Sequence, residues 1–170
     1  MKSVIQLVIV SVVVGFLLIL FLKRSTTSIS MEKDYYEEAG AFTNRFEQWN
    51  LSHFEKVCLG LLEGLGLKVE CVSYINPREF DLIARDVKPV TGGDFIVHCL
   101  LASPGEVVEA NRVIALSDVV RTEKASKGIF ITTGYFSADT AHLLEGAPLE
   151  LINARRLKEL ILQHDLLALV

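Results

Sequence analysis

The first stretch of the chain is an almost unbroken apolar run from Val4 to Leu22. About 19 helical residues, at about 1.5 Å each, are long enough to cross the hydrocarbon core of a bilayer. The run ends at Lys23 and Arg24 without the small-residue cleavage site of a signal peptide. Residues 1–24 are therefore predicted to be an uncleaved transmembrane anchor rather than a cleaved signal peptide.

Residues 25–51 are predicted to form a polar linker followed by an amphipathic helix. Apolar side chains recur there at steps of three and four residues, which is typical of one helical face. These side chains are Tyr35, Ala39, Phe42, Phe46 and Trp49. Aromatic residues with this spacing more often pack in a core than form a binding surface.

A folded domain is predicted from residue 52 to residue 170, and it begins with a helix. Ser52 and Glu55 have the spacing of a capping box, in which the serine hydroxyl and the glutamate satisfy free amides at a helix start. Gly64 and Gly66 follow an apolar helical pattern and predict where this helix ends.

Two apolar runs, residues 80–84 and 94–101, predict adjacent strands of a buried hairpin because turn residues bound both. Residues 67–73 predict a strand before them. Asp81 is the anomaly in this pattern. A carboxylate inside an apolar strand costs several kcal/mol unless it is paired, hydrogen-bonded or bound to a cation. The alternative is that Asp81 lies at a strand end and is solvated.

The rest of the chain alternates helical and strand patterns. A helix is predicted from Ser103-Pro104 to about Lys124, because proline is favoured at the first helical position. Further elements follow in the order strand, short helix, strand and helix: residues 128–132, 137–144, 149–152 and a helix capped by Asn153. Hairpin strands followed by such an alternation predict an α/β domain in layers.

Cysteine usage and charge around the anchor bear on location. The three cysteines, Cys58, Cys71 and Cys99, have no framework spacing, so they are predicted to be buried free thiols in a reducing compartment. Basic residues after the apolar run outnumber those before it, which favours a cytoplasmic C-terminal domain. We therefore predict a single-pass membrane protein with its domain in the cytoplasm.

The charge balance weighs against tight DNA binding. After residue 24, 14 basic residues stand against 21 acidic ones, a net charge of −7. DNA affinity depends on basic side chains that contact phosphates. The only basic cluster in the sequence, Arg155, Arg156 and Lys158, is predicted to be a solvated helix face.

Several short motifs, taken in order, resemble the Mrr-type, or type IV, restriction endonuclease domain of the PD-(D/E)xK nuclease superfamily. They cover most of residues 52–162. The motifs are Phe54-Glu55, Leu61-Leu62-x-x-Leu65-Gly66, Asp81-Leu82-Ile83-Ala84, Gly128-Ile129-Phe130-Ile131-Thr132-Thr133-Gly134-Tyr135-Phe136-Ser137 and Leu149-Glu150-Leu151-Ile152-Asn153. The resemblance implies a restriction-endonuclease-like mixed sheet flanked by helices, here preceded by one transmembrane helix.

The resemblance also implies a site for a divalent metal such as Mg²⁺, which binds phosphate oxygens and activates water. Carried over by position, Asp81 is the acidic ligand, and Glu55 matches a helix glutamate that supports the metal. A capping role explains Glu55 as well. The third strand of such enzymes reads Gln-Cys-Lys.

This chain departs from that pattern, since it has His98-Cys99-Leu100. Leu100 stands at the lysine position, and an imidazole replaces an oxygen ligand, which suits zinc-like ions better than Mg²⁺. Asp81 and His98 remain candidate metal ligands, but His98 is equally a candidate structural residue, and the site holds Mg²⁺, another divalent metal or none.

Two functions follow from these observations. The first is a membrane-anchored, Mrr-like DNA-binding endonuclease domain with impaired or lost cleavage. The second is an inactive pseudonuclease that serves as a membrane-tethered module for an unknown protein partner. A cation near Asp81 would favour the first function.

Overall fold

The structure is a computed structural model that describes residues 46–89, 92–140 and 146–169. The predicted anchor, the linker and the first part of the aromatic pattern lie outside these residues. Within the described ranges, no helix is long and apolar enough to cross a membrane.

Helices and strands alternate after an opening helix and three consecutive strands. In chain order they are α1 Leu51–Gly64, β1 Lys68–Asn76, β2 Glu79–Asp86, β3 Gly93–Leu100, β4 Val107–Val108, α2 Ala110–Thr122, β5 Lys127–Thr132, β6 Tyr135–Phe136, β7 Leu149–Ile152 and α3 Ala154–Gln163, followed by the 3₁₀ helix Leu166–Leu169.

Five strands form one mixed sheet in the order β1-β2-β3-β5-β7. The first three pair antiparallel, whereas β5 is parallel to β3 and β7 is parallel to β5. The short strands β4 and β6 pair separately. The prediction of a mixed sheet flanked by helices is confirmed.

The sheet has one closed face, which α1 covers. Phe80 on β2 packs edge-on against Phe54 of α1, with 5.8 Å between ring centroids. The buried side chains of α1 are Phe54, Val57, Cys58, Leu61 and Leu62, and those of β2 and β3 on this face are Phe80, Leu82, Ala84, Val97 and Cys99. These residues form an apolar layer between α1 and the sheet.

The opposite face is covered by α2, but only over β3 and β5. Leu100 belongs to a buried cluster there with Val113, Leu116 and Phe130. Because strand side chains alternate between faces, Asp81 and Ile83 lie on this same side of β2. Ile83 is 46% exposed, so the part of this face formed by β1 and β2 is open to solvent.

Three local predictions are wrong. Helix α1 begins one residue before Ser52, and Asn50 is its N-cap, since its side chain accepts a hydrogen bond from the His53 amide at 2.8 Å. Ser52 and Glu55 therefore do not form a capping box. Gly66, with φ of +80°, follows the helix end as the sequence indicates.

The helix predicted from Ser103 begins only at Ala110. Residues 103–106 close a turn instead, because the Glu106 carboxylate accepts from the Ser103 amide at 2.7 Å. Strand β4 then pairs with β6 before α2 starts. The third correction concerns Cys71, which is exposed because it lies on the edge strand β1, while Cys58 and Cys99 are buried as predicted.

The remaining elements follow the sequence closely. Strand β7 spans residues 149–152, and the Asn153 side chain caps α3 by accepting from the Arg156 amide at 2.9 Å. Thr140 is helical, and residues 141–144 of the predicted short helix lie outside the described residues. Burial is the main reason why the pKa of the Cys99 thiol is raised well above its ordinary value, and a hydrogen bond with Cys58 adds to this effect.

Candidate active site

Asp81 and His98 face each other across the hairpin of β2 and β3, where they are direct partners in the strand register. His98 Nδ1 lies 2.7 Å from Asp81 Oδ1. The Asp81 side chain is 42% exposed, while that of His98 is 15% exposed. The sequence anomaly at Asp81 is thus resolved by a hydrogen-bonded partner and by partial exposure, although the residue lies inside the strand.

Arg112, in the first turn of α2, extends this contact into a chain of polar groups. Its Nη2 lies 3.2 Å from His98 Nε2 and 2.9 Å from Glu79 Oε1. A guanidinium only donates hydrogen bonds, so Nε2 accepts and the imidazole proton is assigned to Nδ1, which donates to Asp81. We call Glu79, Asp81, His98 and Arg112 the four-residue network.

The aromatic side chain of Phe130 packs against two members of the network. Phe130 on β5 is the register partner of His98, and the two rings meet edge to face with centroids 4.6 Å apart. The guanidinium carbon of Arg112 is 6.0 Å from the centre of the same ring. Because Phe130 is fully buried, its position is fixed by the core, and it limits where both His98 and Arg112 can lie.

Leu100, which the sequence resemblance assigns to the lysine position, is fully buried. It packs with the apolar face of α2 in the cluster already described. Its register partner is Glu79, whose side chain is 13% exposed and paired with Arg112. The residue predicted to stand at the lysine position is therefore part of the core.

Glu55 is held on the other side of the sheet. The Tyr74 hydroxyl donates to both Glu55 carboxylate oxygens, at 2.9 and 3.0 Å. Tyr74 pairs with Phe80 in the register, so it lies on the closed face while Asp81 lies on the open one. The hydrogen bond to the Glu55 carboxylate raises the pKa of Tyr74. The predicted trio of Asp81, His98 and Glu55 is therefore only partly brought together.

These donors do not fit a Mg²⁺ ion. Mg²⁺ requires near-octahedral oxygen ligands, yet the Asp81 carboxylate is bonded to an imidazole and the Glu79 carboxylate is paired with a guanidinium. Within the described residues, no three His, Cys, Asp or Glu side chains are grouped so that they could hold a metal ion. The assignment of Asp81, His98 and Glu55 as site residues stays a prediction.

The rim of the site carries a second polar cluster. Arg78 Nη1 donates to Ser103 Oγ and to Glu106 Oε2, both at 2.8 Å. Burial raises the pKa of Glu106, but hydrogen bonds from Ser103 and Arg78 outweigh burial and hold that pKa below its usual value. The Arg78 charge is thereby neutralised beside the network.

The same pairing holds for every arginine in the described part of the chain. Each makes an ion pair with an Asp or Glu: Arg78, Arg85, Arg112, Arg121, Arg155 and Arg156. The basic cluster predicted to be a solvated face pairs through Arg155 and Arg156 with Glu159. The six described arginine side chains are therefore already engaged with carboxylates.

The Thr132-Thr133-Gly134 segment joins the ends of three elements next to the site. Thr133 Oγ1 accepts from the Ala102 amide at 2.9 Å, and the Gly134 carbonyl accepts from the Ala154 amide at 3.0 Å. A Cβ on Gly134 would lie 2.7 Å from the Glu106 carbonyl oxygen. This motif therefore ties β5 to the end of β3 and to the start of α3.

Sequence reasoning missed Glu79 and Arg112. Glu79 could have been found, because it lies two residues before Asp81 and so on the same face of an extended strand. Arg112 had no such signal. Its position depends on where α2 begins, and the predicted start was seven residues too early.

The fold defines a class: an antiparallel three-stranded meander that continues into parallel strands, with helices on both faces, is a restriction-endonuclease-like α/β domain. The family model Mrr_cat, described as restriction endonuclease, matches residues 46–161. Because this match spans more than half of the 170 residues, the chain belongs to the Mrr restriction endonuclease family. A comparison with curated proteins finds no match.

The fold is shared with a solved restriction endonuclease. The DNA modification-dependent restriction endonuclease AspBHI aligns with a TM-score of 0.52 and 18% identity over 76% of this chain. The MspJI restriction endonuclease in complex with a 27-mer oligonucleotide aligns with a TM-score of 0.45 and 14% identity over 74% of this chain. The alignments cover 36% and 30% of those enzymes, so this chain spans about a third of their length.

Proposed function

We propose that the chain is a membrane-anchored Mrr-family protein whose nuclease domain has lost Mg²⁺-dependent DNA cleavage. The observation that supports this proposal is the four-residue network. In it, the imidazole of His98 is bonded on one side to Asp81 and on the other to Arg112. The fold is that of the Mrr nuclease family, whereas the contacts of this site do not favour metal-dependent cleavage of DNA.

Two electrostatic elements are missing for cleavage. A divalent cation held by Asp81 and His98 together would be repelled by the Arg112 guanidinium, whose Nη2 is 3.2 Å from His98 Nε2. A lysine that stabilises the developing phosphate charge is replaced by the buried Leu100. Since one preorganised charge is worth about 3 kcal/mol of transition-state stabilisation, the loss of two leaves little activity.

The decisive test is plasmid nicking by the purified protein with Mg²⁺ or Mn²⁺. The wild type should leave supercoiled plasmid intact, as should Asp81→Ala, while an active Mrr-family nuclease serves as the positive control. Metal-dependent nicking by the wild type that disappears in Asp81→Ala would overturn the proposal. In that case Arg112 would be the cation that replaces the lysine.

The anchor is part of the proposal and rests on the apolar residues 4–22. The full chain should stay in the membrane fraction after carbonate washing. Protease added to sealed right-side-out vesicles should leave the domain intact, because the domain faces the cytoplasm. Digestion of the domain in that experiment would show that the domain lies on the opposite side of the membrane. Release by carbonate would show that residues 4–22 do not anchor the protein.

A second candidate function is a tethered module that binds a protein partner. Two observations favour it over DNA binding: the described arginines are all paired with carboxylates, and the uncovered part of the sheet exposes Ile75 (53%) and Ile83 (46%). Fluorescence anisotropy with a labelled duplex at low salt separates the two candidates. Tight, salt-dependent binding would support a non-cleaving DNA-binding domain, and absence of binding would support the module.

A further inference from the structure

The Arg112 guanidinium occupies a position between two atoms that commonly bind metal ions. Its Nη2 lies 2.9 Å from Glu79 Oε1 and 3.2 Å from His98 Nε2. A carboxylate oxygen and an imidazole nitrogen together suit divalent transition ions such as Mn²⁺ and Co²⁺. Glu79 is not among the residues that the Mrr resemblance assigns, so this pair differs from the pair of Asp81 and His98.

The third member of the network supports the same geometry. Asp81 accepts from His98 Nδ1 at 2.7 Å, which is the usual support of a metal-bound histidine. Such a carboxylate fixes the tautomer, so that the Nε2 lone pair points at the cation. In this chain the cation that Nε2 meets is the Arg112 guanidinium.

We propose that Arg112 is the resident cation of this site and stands where a divalent ion would bridge Glu79 and His98. The stability of the domain is therefore independent of divalent metal. Removal of the guanidinium converts Glu79 Oε1 and His98 Nε2 into a site for Mn²⁺ or Co²⁺. This inference rests on the contacts of Arg112 and not on the proposed loss of DNA cleavage, which a separate nicking assay tests.

Burial explains why a cation is required here. The Glu79 side chain is 13% exposed, and without a partner its carboxylate would be buried and unpaired. A bound ion needs ligands at about 2.0–2.2 Å, so Glu79 and His98 would close by about 1 Å each around it. Alanine at position 112 leaves the space in which this movement can occur.

Thermal unfolding of the purified full chain, in EDTA and in millimolar Mn²⁺ or Co²⁺, tests the proposal. The Tm of the wild type should be the same in all three solutions. Arg112→Ala should lower the Tm in EDTA by roughly 5–10 °C, because it leaves Glu79 unpaired, and added Mn²⁺ or Co²⁺ should restore part of this loss.

Arg121→Ala is the matched control. Arg121 lies on the same helix, its side chain is 79% exposed, and its ion pair with Asp118 is 3.7 Å long. Such a surface pair contributes little, so the Tm should change by no more than about 3 °C and should not respond to metal. The double variant Glu79→Gln, Arg112→Ala lacks the carboxylate ligand and should lose the metal response of Arg112→Ala.

The proposal is overturned by a wild type whose Tm rises with Mn²⁺ or Co²⁺, or by an Arg112→Ala protein that does not respond to either ion. A response that persists in the double variant also overturns it, because the ion would then bind elsewhere. If Arg112→Ala does not fold in EDTA, refolding in Mn²⁺ decides: recovery only with the ion supports the proposal, and no recovery contradicts it.

Discussion

The two faces of the sheet differ in the chemistry of the side chains that lie on them. The α1 face is closed by an apolar layer in which Phe54, Phe80 and Leu82 are fully buried. The α2 face is closed over β3 and β5 but open over β1 and β2, and the four-residue network lies at that boundary. One face is therefore uniform in chemistry, and the other combines a small core with buried or half-buried charges.

The difference shows that the two faces are held together by different interactions. The closed face depends on volume and shape, so its residues are constrained together. On the open face, Arg112 contacts Glu79 and Leu100 joins the apolar cluster, so the buried charge there is paired.

The largest expected effect comes from opening a cavity in the closed face. Phe80→Ala removes a ring that contacts Phe54 at 5.8 Å and Tyr74 at 6.3 Å between centroids. We expect a loss of about 3–5 kcal/mol in the free energy of unfolding, measured by urea denaturation. Ile83→Ala, on the open face, should cost less than half as much, and equal losses would contradict the contrast between the faces.

The second effect tests whether the lysine position is still open. Leu100→Lys places an ammonium in the cluster with Val113 and Phe130, and we expect a loss of about 3 kcal/mol or more in urea denaturation. Leu100→Met, which keeps the volume, should cost less than about 1.5 kcal/mol. A lysine variant as stable as the methionine variant would show that the side chain reaches solvent beside Asp81.

The third effect concerns the start of the helix that covers the closed face. Asn50→Ala removes the side chain that accepts from the His53 amide, so stability should fall by about 1 kcal/mol. Ser52→Ala lacks such a role and should change the free energy of unfolding by less than about 0.5 kcal/mol. A larger loss of stability for Ser52→Ala than for Asn50→Ala would instead support the capping box that the sequence indicates.

The smallest effect is on pH dependence at the rim of the open face. The pKa of Glu106 is lowered in the folded state, so this carboxylate stabilises the fold above its ordinary pKa and loses that effect as the pH falls through the folded value. Glu106→Gln should therefore lower stability by up to about 1 kcal/mol at neutral pH. The difference from wild type should shrink below about pH 4, and a difference that grows in acid would contradict this assignment.

The hairpin was predictable because its two apolar runs are local and bounded by turns. Asp81 stood out against them, and the structure confirms that it has a partner, His98. The surroundings of this pair were not predictable in the same way. Arg112 and the burial of Leu100 both depend on the position of α2, whose start is set by the turn at Ser103 and the pairing of β4 with β6.

The contact of Glu55, on the opposite face of the sheet, shows the same limit of prediction from local sequence patterns. Its spacing from Ser52 indicates a capping box, but its carboxylate meets the Tyr74 hydroxyl 19 residues away. That contact exists only once α1 packs on β1, which no local pattern encodes. Local patterns thus predict elements and neighbours in a hairpin, whereas contacts between a helix and a sheet require their relative placement.

The order of the strands also has a kinetic consequence. The hairpin of β2 and β3 is closed between Asp86 and Gly93, which are seven residues apart, whereas Arg112 is 14 residues from His98 and 33 from Glu79. Because short loops close at lower entropic cost, we expect the hairpin to form in the folding transition state before α2 docks. In stopped-flow measurements, Leu82→Ala should then slow folding, while Arg112→Ala should mainly speed unfolding. Slower folding of Arg112→Ala would instead place α2 in the nucleus. In the expected order of folding, the hairpin brings Asp81 and His98 together first, and the Arg112 guanidinium joins them when α2 docks.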